Sequence, residues 1–212
     1  MHSYWTEFLW VAGAHLLAVA SPGPDFAIVV RQSVTYGRRT AIWTAIGVGS
    51  AISLHVIYSL LGIGLLVSRS VLAFNIVKIA GALYLAWIGV KALRAKSAVL
   101  QSETEMKGQN LPSARTAWVT GFLTNALNPK ATLFFVALFS VIISPQTPRL
   151  IQSGYGVWMI LATMAWFSLV AVFFSQAKVR NGFLRFGHWF DRLMGGAFIA
   201  LGIRLALSSS RG

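Results

Sequence analysis

The sequence predicts an all-α membrane protein with six transmembrane helices, arranged as two three-helix halves, and three observations carry that expectation. Of its 212 residues, 56% are hydrophobic and 11% charged, and the mean hydropathy is +0.68, values foreign to a water-soluble domain. Apolar stretches of about 20 residues, the length that crosses a bilayer, recur along the chain. A proline-bearing break interrupts the first apolar stretch of each half.

Taken in order, the candidate spans cover residues 8–30, 41–67, 71–93, 117–143, 151–175 and 193–208. Only Ser68-Arg69-Ser70 separates the second span from the third, which predicts a tight hairpin. One long polar linker, residues 94–116, divides a single transmembrane domain into a first repeat (about residues 5–93) and a second (about 117–208). Three spans per repeat start the second half on the opposite side of the membrane, so the halves are expected to be inverted repeats, as in many secondary transporters. Ala18-Val19-Ala20 resembles a signal-cleavage site, but no Lys or Arg precedes it, so span one is expected to stay in the mature protein.

The net charge of +13 serves this topology. Arg31, Arg38 and Arg39 follow span one; Lys91, Arg94, Lys96, Lys107 and Arg115 surround the linker; Lys178, Arg180, Arg185 and Arg192 follow span five. The other side has Arg69, Arg149, Arg204 and Arg211. Basic loops stay cytoplasmic, so both termini are expected to be periplasmic, with the positive charge facing anionic lipid rather than nucleic acid. Trp5, Trp10, Trp43, Trp118 and Trp189 fall at span boundaries, where indole rings favour the interface. The absence of Cys excludes a disulfide scaffold, a thiol–disulfide carrier and a Cys-ligated metal or iron–sulfur site, and four scattered His leave little room for metal catalysis. No metal or other cofactor is expected. Nor is there a Gly-rich phosphate loop ending in Lys-Ser or Lys-Thr, so transport would draw on a gradient or on downhill flow.

Span one is broken at Ser21-Pro22-Gly23-Pro24-Asp25, where each proline removes a helical N–H and clashes with the preceding turn. Span four is broken at Asn125-Ala126-Leu127-Asn128-Pro129-Lys130. Superposing the halves aligns Pro129 with Pro22 or with Pro24; the second register places Asp25 on Lys130. Broken backbone at membrane depth survives only where protein or a water-filled cavity satisfies it, so both breaks should face one cavity. Pro24 suits the first position of a restarted helix and Asp25 the second, presenting a positive helix end at the break, and Pro129-Lys130 does the same.

Asp25 is the only carboxylate inside a predicted span. An ion at that depth costs several kcal/mol and points to function, whereas a helix end returns only about 1 kcal/mol. Lys130, about 20 Å into its span at 1.5 Å per residue, could attract a substrate carboxylate or counter Asp25. Asn125 and Asn128 could satisfy broken backbone or touch substrate. His15 and His55, within spans one and two, could pack between helices or relay a proton. Lys78 is expected to snorkel to the outer interface. Gly47, Gly49, Gly62, Gly64, Gly81, Gly89, Gly195, Gly196 and Gly202 read as sites of close helix packing. Trp87, Trp166 and Phe167 read as packing groups before cavity linings.

The two break motifs, with Gly81-Ala82-Leu83-Tyr84-Leu85-Ala86-Trp87-Ile88-Gly89 and Phe198-Ile199-Ala200-Leu201-Gly202, resemble the lysine-exporter/homoserine–threonine-exporter family of bacterial inner-membrane amino-acid efflux proteins, particularly its threonine-efflux branch. The resemblance covers nearly the whole chain. It implies a non-enzymatic exporter of threonine, homoserine or a similar small amino acid, driven by the proton motive force and able to form a homodimer. The motif positions of that family fall on Pro22, Gly23, Pro24 and Asp25 and on Asn125, Asn128, Pro129 and Lys130, and its threonine-efflux branch shows a His at the place of His15. Asp25, His15 and His55 are the candidates for proton coupling. Competing classes are a passive amino-acid channel and a non-transporting membrane scaffold; neither would need a proton-linked carboxylate.

Overall fold

The computed structural model describes residues 4–69 and 111–176 continuously, with side chains to residue 62 in the first stretch, and isolated positions between 72 and 90 and between 179 and 200. Most of the third and sixth predicted spans and of the linker, with Lys78, Gly81, Gly89, Gly195 and Gly202, lie outside the described residues, and Gly64 is described in its backbone alone. Among the described residues there are six helices and no strand: α1 (Tyr4–Ala20), α2 (Pro24–Tyr36), α3 (Arg38–Arg69), α4 (Ala114–Ala126), α5 (Pro129–Val141) and α6 (Arg149–Phe174).

Spans one and four are the two broken ones, α1–α2 and α4–α5, bent by 53° and 57° at their breaks. Pro24 and Pro129 each occupy the start of the restarted helix, so Asp25 and Lys130 both stand second in theirs. Asn128 caps α5 through its side-chain oxygen, which accepts from the Lys130 N–H at 3.0 Å. At the start of α4, Ser113 caps in the same manner, accepting from the Thr116 N–H at 3.1 Å. Between α2 and α3 the chain turns on Gly37, whose φ of +83° is open to glycine at little cost.

Helix α3 has 32 residues, about 48 Å at 1.5 Å per residue, more than the roughly 30 Å of hydrocarbon it has to cross. It therefore runs from Arg38 past the predicted boundary, and Ser68 and Arg69 are helical rather than part of a turn. Glu7, placed ahead of span one by the sequence reading, lies within α1. Its carboxylate accepts from the Ser144 N–H at 3.0 Å and the Thr147 hydroxyl at 2.9 Å. The start of α1 and the loop from α5 to α6 thus share one end of the molecule.

The burial pattern is that of a protein whose solvent is lipid. Leu54, Ile57 and Leu61 of α3 and Val157, Leu161, Leu169 and Phe173 of α6 are exposed, whereas His15, Thr44, His55, Ser59, Asn125, Asn128 and Thr163 are buried. In a bilayer every polar group must find an internal partner, so the polar face turns inward. Helix α3 is the central element, packed most extensively on α4 and α6 and touching α2 and α5. Glycine permits the tightest approach: a Cβ on Gly47 would collide with the Trp118 carbonyl, and one on Gly121 with the Thr44 carbonyl. Gly49 is similarly closed by Met164, while Gly62 and Gly196, expected to be packing sites, have no neighbouring helix atom of the described residues within 4 Å of a Cβ position.

Two apolar layers form the core. One joins α1, α3, α5 and α6 through Val11, Val56, Phe135, Leu138 and Met159. The other joins α2, α3 and α6 through Phe26, Val30, Val48, Phe167 and Phe174. The helix breaks fall between them.

Candidate functional site

A small cavity opens where the two breaks meet. Ser21, Gly23 and Asp25 from the first break and Asn125, Asn128 and Lys130 from the second line it, with His15 of α1 and Thr163 of α6. Its apolar walls, Ile52, Phe26, Phe134, Phe135 and Phe167, come from both core layers. The sequence-predicted meeting of the breaks on one cavity is therefore present in the structure.

Each break carries a backbone carbonyl whose ordinary partner a proline has removed. In α1 the Ala18 carbonyl would accept from residue 22, which is Pro22 and has no N–H. Lys130 replaces it: its Nζ donates to the carbonyls of Ala18, Ser21 and Pro22 at 3.4, 3.0 and 3.3 Å. This is a cation at the negative end of a helix, a favourable placement. It also fits closely against Gly23, where a Cβ would lie 3.4 Å from the Lys130 Nζ.

In α4 the carbonyl orphaned by Pro129 belongs to Asn125. It accepts from the Asn128 N–H at 2.9 Å and from His55 Nε2 of α3 at 3.2 Å. A carbonyl only accepts, so this contact sets the His55 Nε2 as the protonated ring nitrogen. His55 Nε2 also lies 3.1 Å from the Asn125 side-chain oxygen, and Nδ1 lies 2.6 Å from the Tyr58 hydroxyl. His55 does not line the cavity; it supports Asn125 from behind, stacked on Phe135 with ring centroids 5.4 Å apart.

Asp25 closes the connection in the reverse direction. Its Oδ2 accepts from the side-chain amides of Asn125 at 3.0 Å and Asn128 at 2.9 Å. Its Oδ1 is shut off from solvent and has no hydrogen-bond partner. The second residue of each restarted helix thus reaches across to the other break. This reciprocity goes with the register that pairs Pro24 with Pro129.

His15 is buried, with Nε2 3.2 Å from the Thr163 hydroxyl and Nδ1 without a partner. Thr163, Phe134 and Phe135 line the site but were not singled out from the sequence, since one threonine and two phenylalanines in apolar helices carry no pattern there. Phe167, read from the sequence as packing, serves the core and the cavity wall at once. Pro22, Pro24 and Pro129 shape the breaks without lining the cavity. Among the described residues no group of His, Asp or Glu is placed to hold a metal ion.

Comparison with known proteins joins this geometry to a lineage. The threonine efflux protein of Salmonella typhi is 31% identical over 201 residues, 95% of this chain and 98% of its own length. The threonine efflux protein of Escherichia coli (strain K12) is 31% identical over 204 residues, with the same two coverages. The homoserine/homoserine lactone efflux protein of Salmonella typhimurium is 34% identical over 148 residues, 68% of each chain. No solved structure matches the sequence. The family described as LysE type translocator matches residues 16–209. With the match running through both broken helices, the chain belongs to the LysE-type translocator family, whose members are transporters and not enzymes.

Proposed function

We propose that this protein is an inner-membrane exporter of a small amino acid of the threonine or homoserine kind, driven by the proton motive force. The observation that carries the reading is Asp25: its carboxylate belongs to a residue lining the cavity, one oxygen is held by two amides, and the other is buried without a partner. A substrate ammonium or a proton supplies what that oxygen lacks, and a buried anion strongly favours having one or the other. Competition between the two for a single acceptor is the simplest chemical basis for exchange of substrate against protons. Lys130 and the positive ends of α2 and α5 provide the complementary side of a zwitterion; the substrate carboxylate would draw Nζ away from the carbonyls it now caps.

In this reading the loaded cavity opens to the cytoplasm and two inverted repeats rock about it. A proton from outside then resets Asp25, with both termini periplasmic. The names of the threonine and homoserine efflux relatives support the substrate class, and the burial of polar groups within an apolar exterior supports the bilayer setting.

The test is Asp25→Asn in proteoliposomes with an imposed pH gradient. The amide keeps the size of the side chain but cannot lose a proton, so gradient-driven accumulation of threonine or homoserine should fall at least about tenfold. Retention of full proton dependence removes Asp25 from the coupling step. Failure of the unaltered protein to move any amino acid favours a scaffold, and movement without response to the gradient favours a channel.

A further inference from the structure

We propose that His55 and Tyr58 are positioning residues of the amino-acid site: together they hold the Asn125 side chain with its amide N–H toward Asp25, and substrate affinity depends on that orientation. The inference rests on the reading of Asp25 as the ammonium acceptor given above and extends it to two residues that do not line the cavity.

A side-chain amide can present its oxygen or its NH2 group to a neighbour, and only the NH2 group suits a carboxylate. Two such amides meet Asp25 Oδ2, those of Asn125 and Asn128. Each keeps its N–H on the carboxylate only while its own oxygen is held elsewhere. For Asn128 the hold is local, because its Oδ1 accepts from the Lys130 N–H at 3.0 Å. Asn125 stands at the close of α4, and its Oδ1 meets a donor from another helix: His55 Nε2 of α3, 3.1 Å away. The proton on that nitrogen is fixed independently of the amide, since the Asn125 backbone carbonyl, 3.2 Å from Nε2, can only accept.

Tyr58 fixes the other side of the ring. A neutral imidazole with its proton on Nε2 offers Nδ1 as an acceptor, and the Tyr58 hydroxyl, one turn along α3, lies 2.6 Å from it. The alternative acceptor for that hydroxyl, the Thr132 carbonyl, is farther off at 3.4 Å. Phe135 holds the plane of the ring, stacked on it with an interplanar angle of 11°. The donors therefore run in one direction, from Tyr58 to His55, from His55 to Asn125 and from Asn125 to Asp25. Turned over, the Asn125 amide would set N–H against N–H at His55 and oxygen against the Asp25 carboxylate, two buried mismatches at once.

Uptake of labelled threonine into proteoliposomes at one fixed pH gradient gives KM and maximal rate separately. His55→Phe keeps a flat ring against Phe135 but has no donor, whereas His55→Gln loses the ring and keeps a side-chain N–H for Asn125. Positioning predicts a KM at least about tenfold higher in His55→Phe, the scale of a lost hydrogen bond to a charged group, with the maximal rate within about twofold. In His55→Gln the KM should stay within about threefold of the unaltered protein, because the donor is restored. A packing role predicts the reverse order of the two variants, with the maximal rate falling and KM unchanged. Tyr58→Phe removes a single hydroxyl and should raise KM by about threefold, the effect of one neutral hydrogen bond; it decides the matter if His55→Phe yields no monodisperse protein. An unchanged KM in Tyr58→Phe, or a lower KM in His55→Phe than in His55→Gln, overturns the positioning role and leaves Asp25 as the ammonium acceptor untouched. If the unaltered protein moves no threonine or other amino acid, the amino-acid reading itself falls, and the positioning role with it.

Discussion

Lys130 shows how a residue chosen for its charge can turn out to hold backbone. Its ammonium caps three carbonyls at the end of α1, one of which lost its helical partner to Pro22. The structural and functional uses coexist, because a cation that anchors one helix end can exchange those carbonyls for a substrate carboxylate. Lys130→Met should therefore destabilise the protein by about 1–3 kcal/mol, the range for leaving buried acceptors without a donor, measured by thermal unfolding in detergent. Lys130→Arg, which keeps the charge and donors, should lose less. A methionine variant as stable as the unaltered protein would remove the capping role. His55 follows the same logic at the other break, where its Nε2–H replaces the donor missing at Pro129. That role was invisible in the sequence, since the partner carbonyl lies 70 residues away.

At the scale of elements, the tightest joint is that of α3 with α4. Gly47 and Gly121 lie against the Trp118 and Thr44 carbonyls, respectively, on the facing helix, so each helix offers a glycine where the other brings backbone. Helices in lipid associate through packing and not through water exclusion, so the close approach at these glycines matters. Gly121→Val should force the helices apart and break the Trp118 indole bond to the Ser50 hydroxyl, now 3.2 Å long. The expected outcome is loss of monodisperse protein on size-exclusion chromatography, with Gly13→Val, where a Cβ meets nothing within 4 Å, leaving the profile unchanged. A normal profile for Gly121→Val would show that the helices can separate at little cost. The same pairing positions the second break, since α4 carries Asn125 to His55 of α3.

For the whole molecule, the question is which end faces the cytoplasm. The Glu7 contacts with Ser144 and Thr147 place the start of α1 and the α5–α6 loop together at one end, and from the distribution of Lys and Arg we propose that this end is periplasmic. With no native Cys, single cysteines report without background. Gln146→Cys should react with a membrane-impermeant maleimide in intact cells, and Leu111→Cys should react only after the membrane is opened; both positions are exposed. The opposite pattern would invert the orientation and with it the direction of transport.

The sequence by itself determined the apolar, all-helical class, the extents of the helices at the second, fourth and fifth apolar stretches to within about three residues, and both helix breaks, whereas the helices at the first stretch run four residues earlier and six later than the sequence placed them. These are legible because span length, proline and intramembrane charge act locally: each has its physical consequence wherever the rest of the chain goes. The choice of register between the breaks, the pairing of Asp25 with Asn125 and Asn128, and the use of Lys130 and His55 as replacement donors were decided by tertiary structure alone. So was the partnership of His15 with Thr163. Hydrogen bonds across helices depend on rotation and depth, which no spacing along one helix records, and a lone buried threonine acquires meaning only from what stands opposite it.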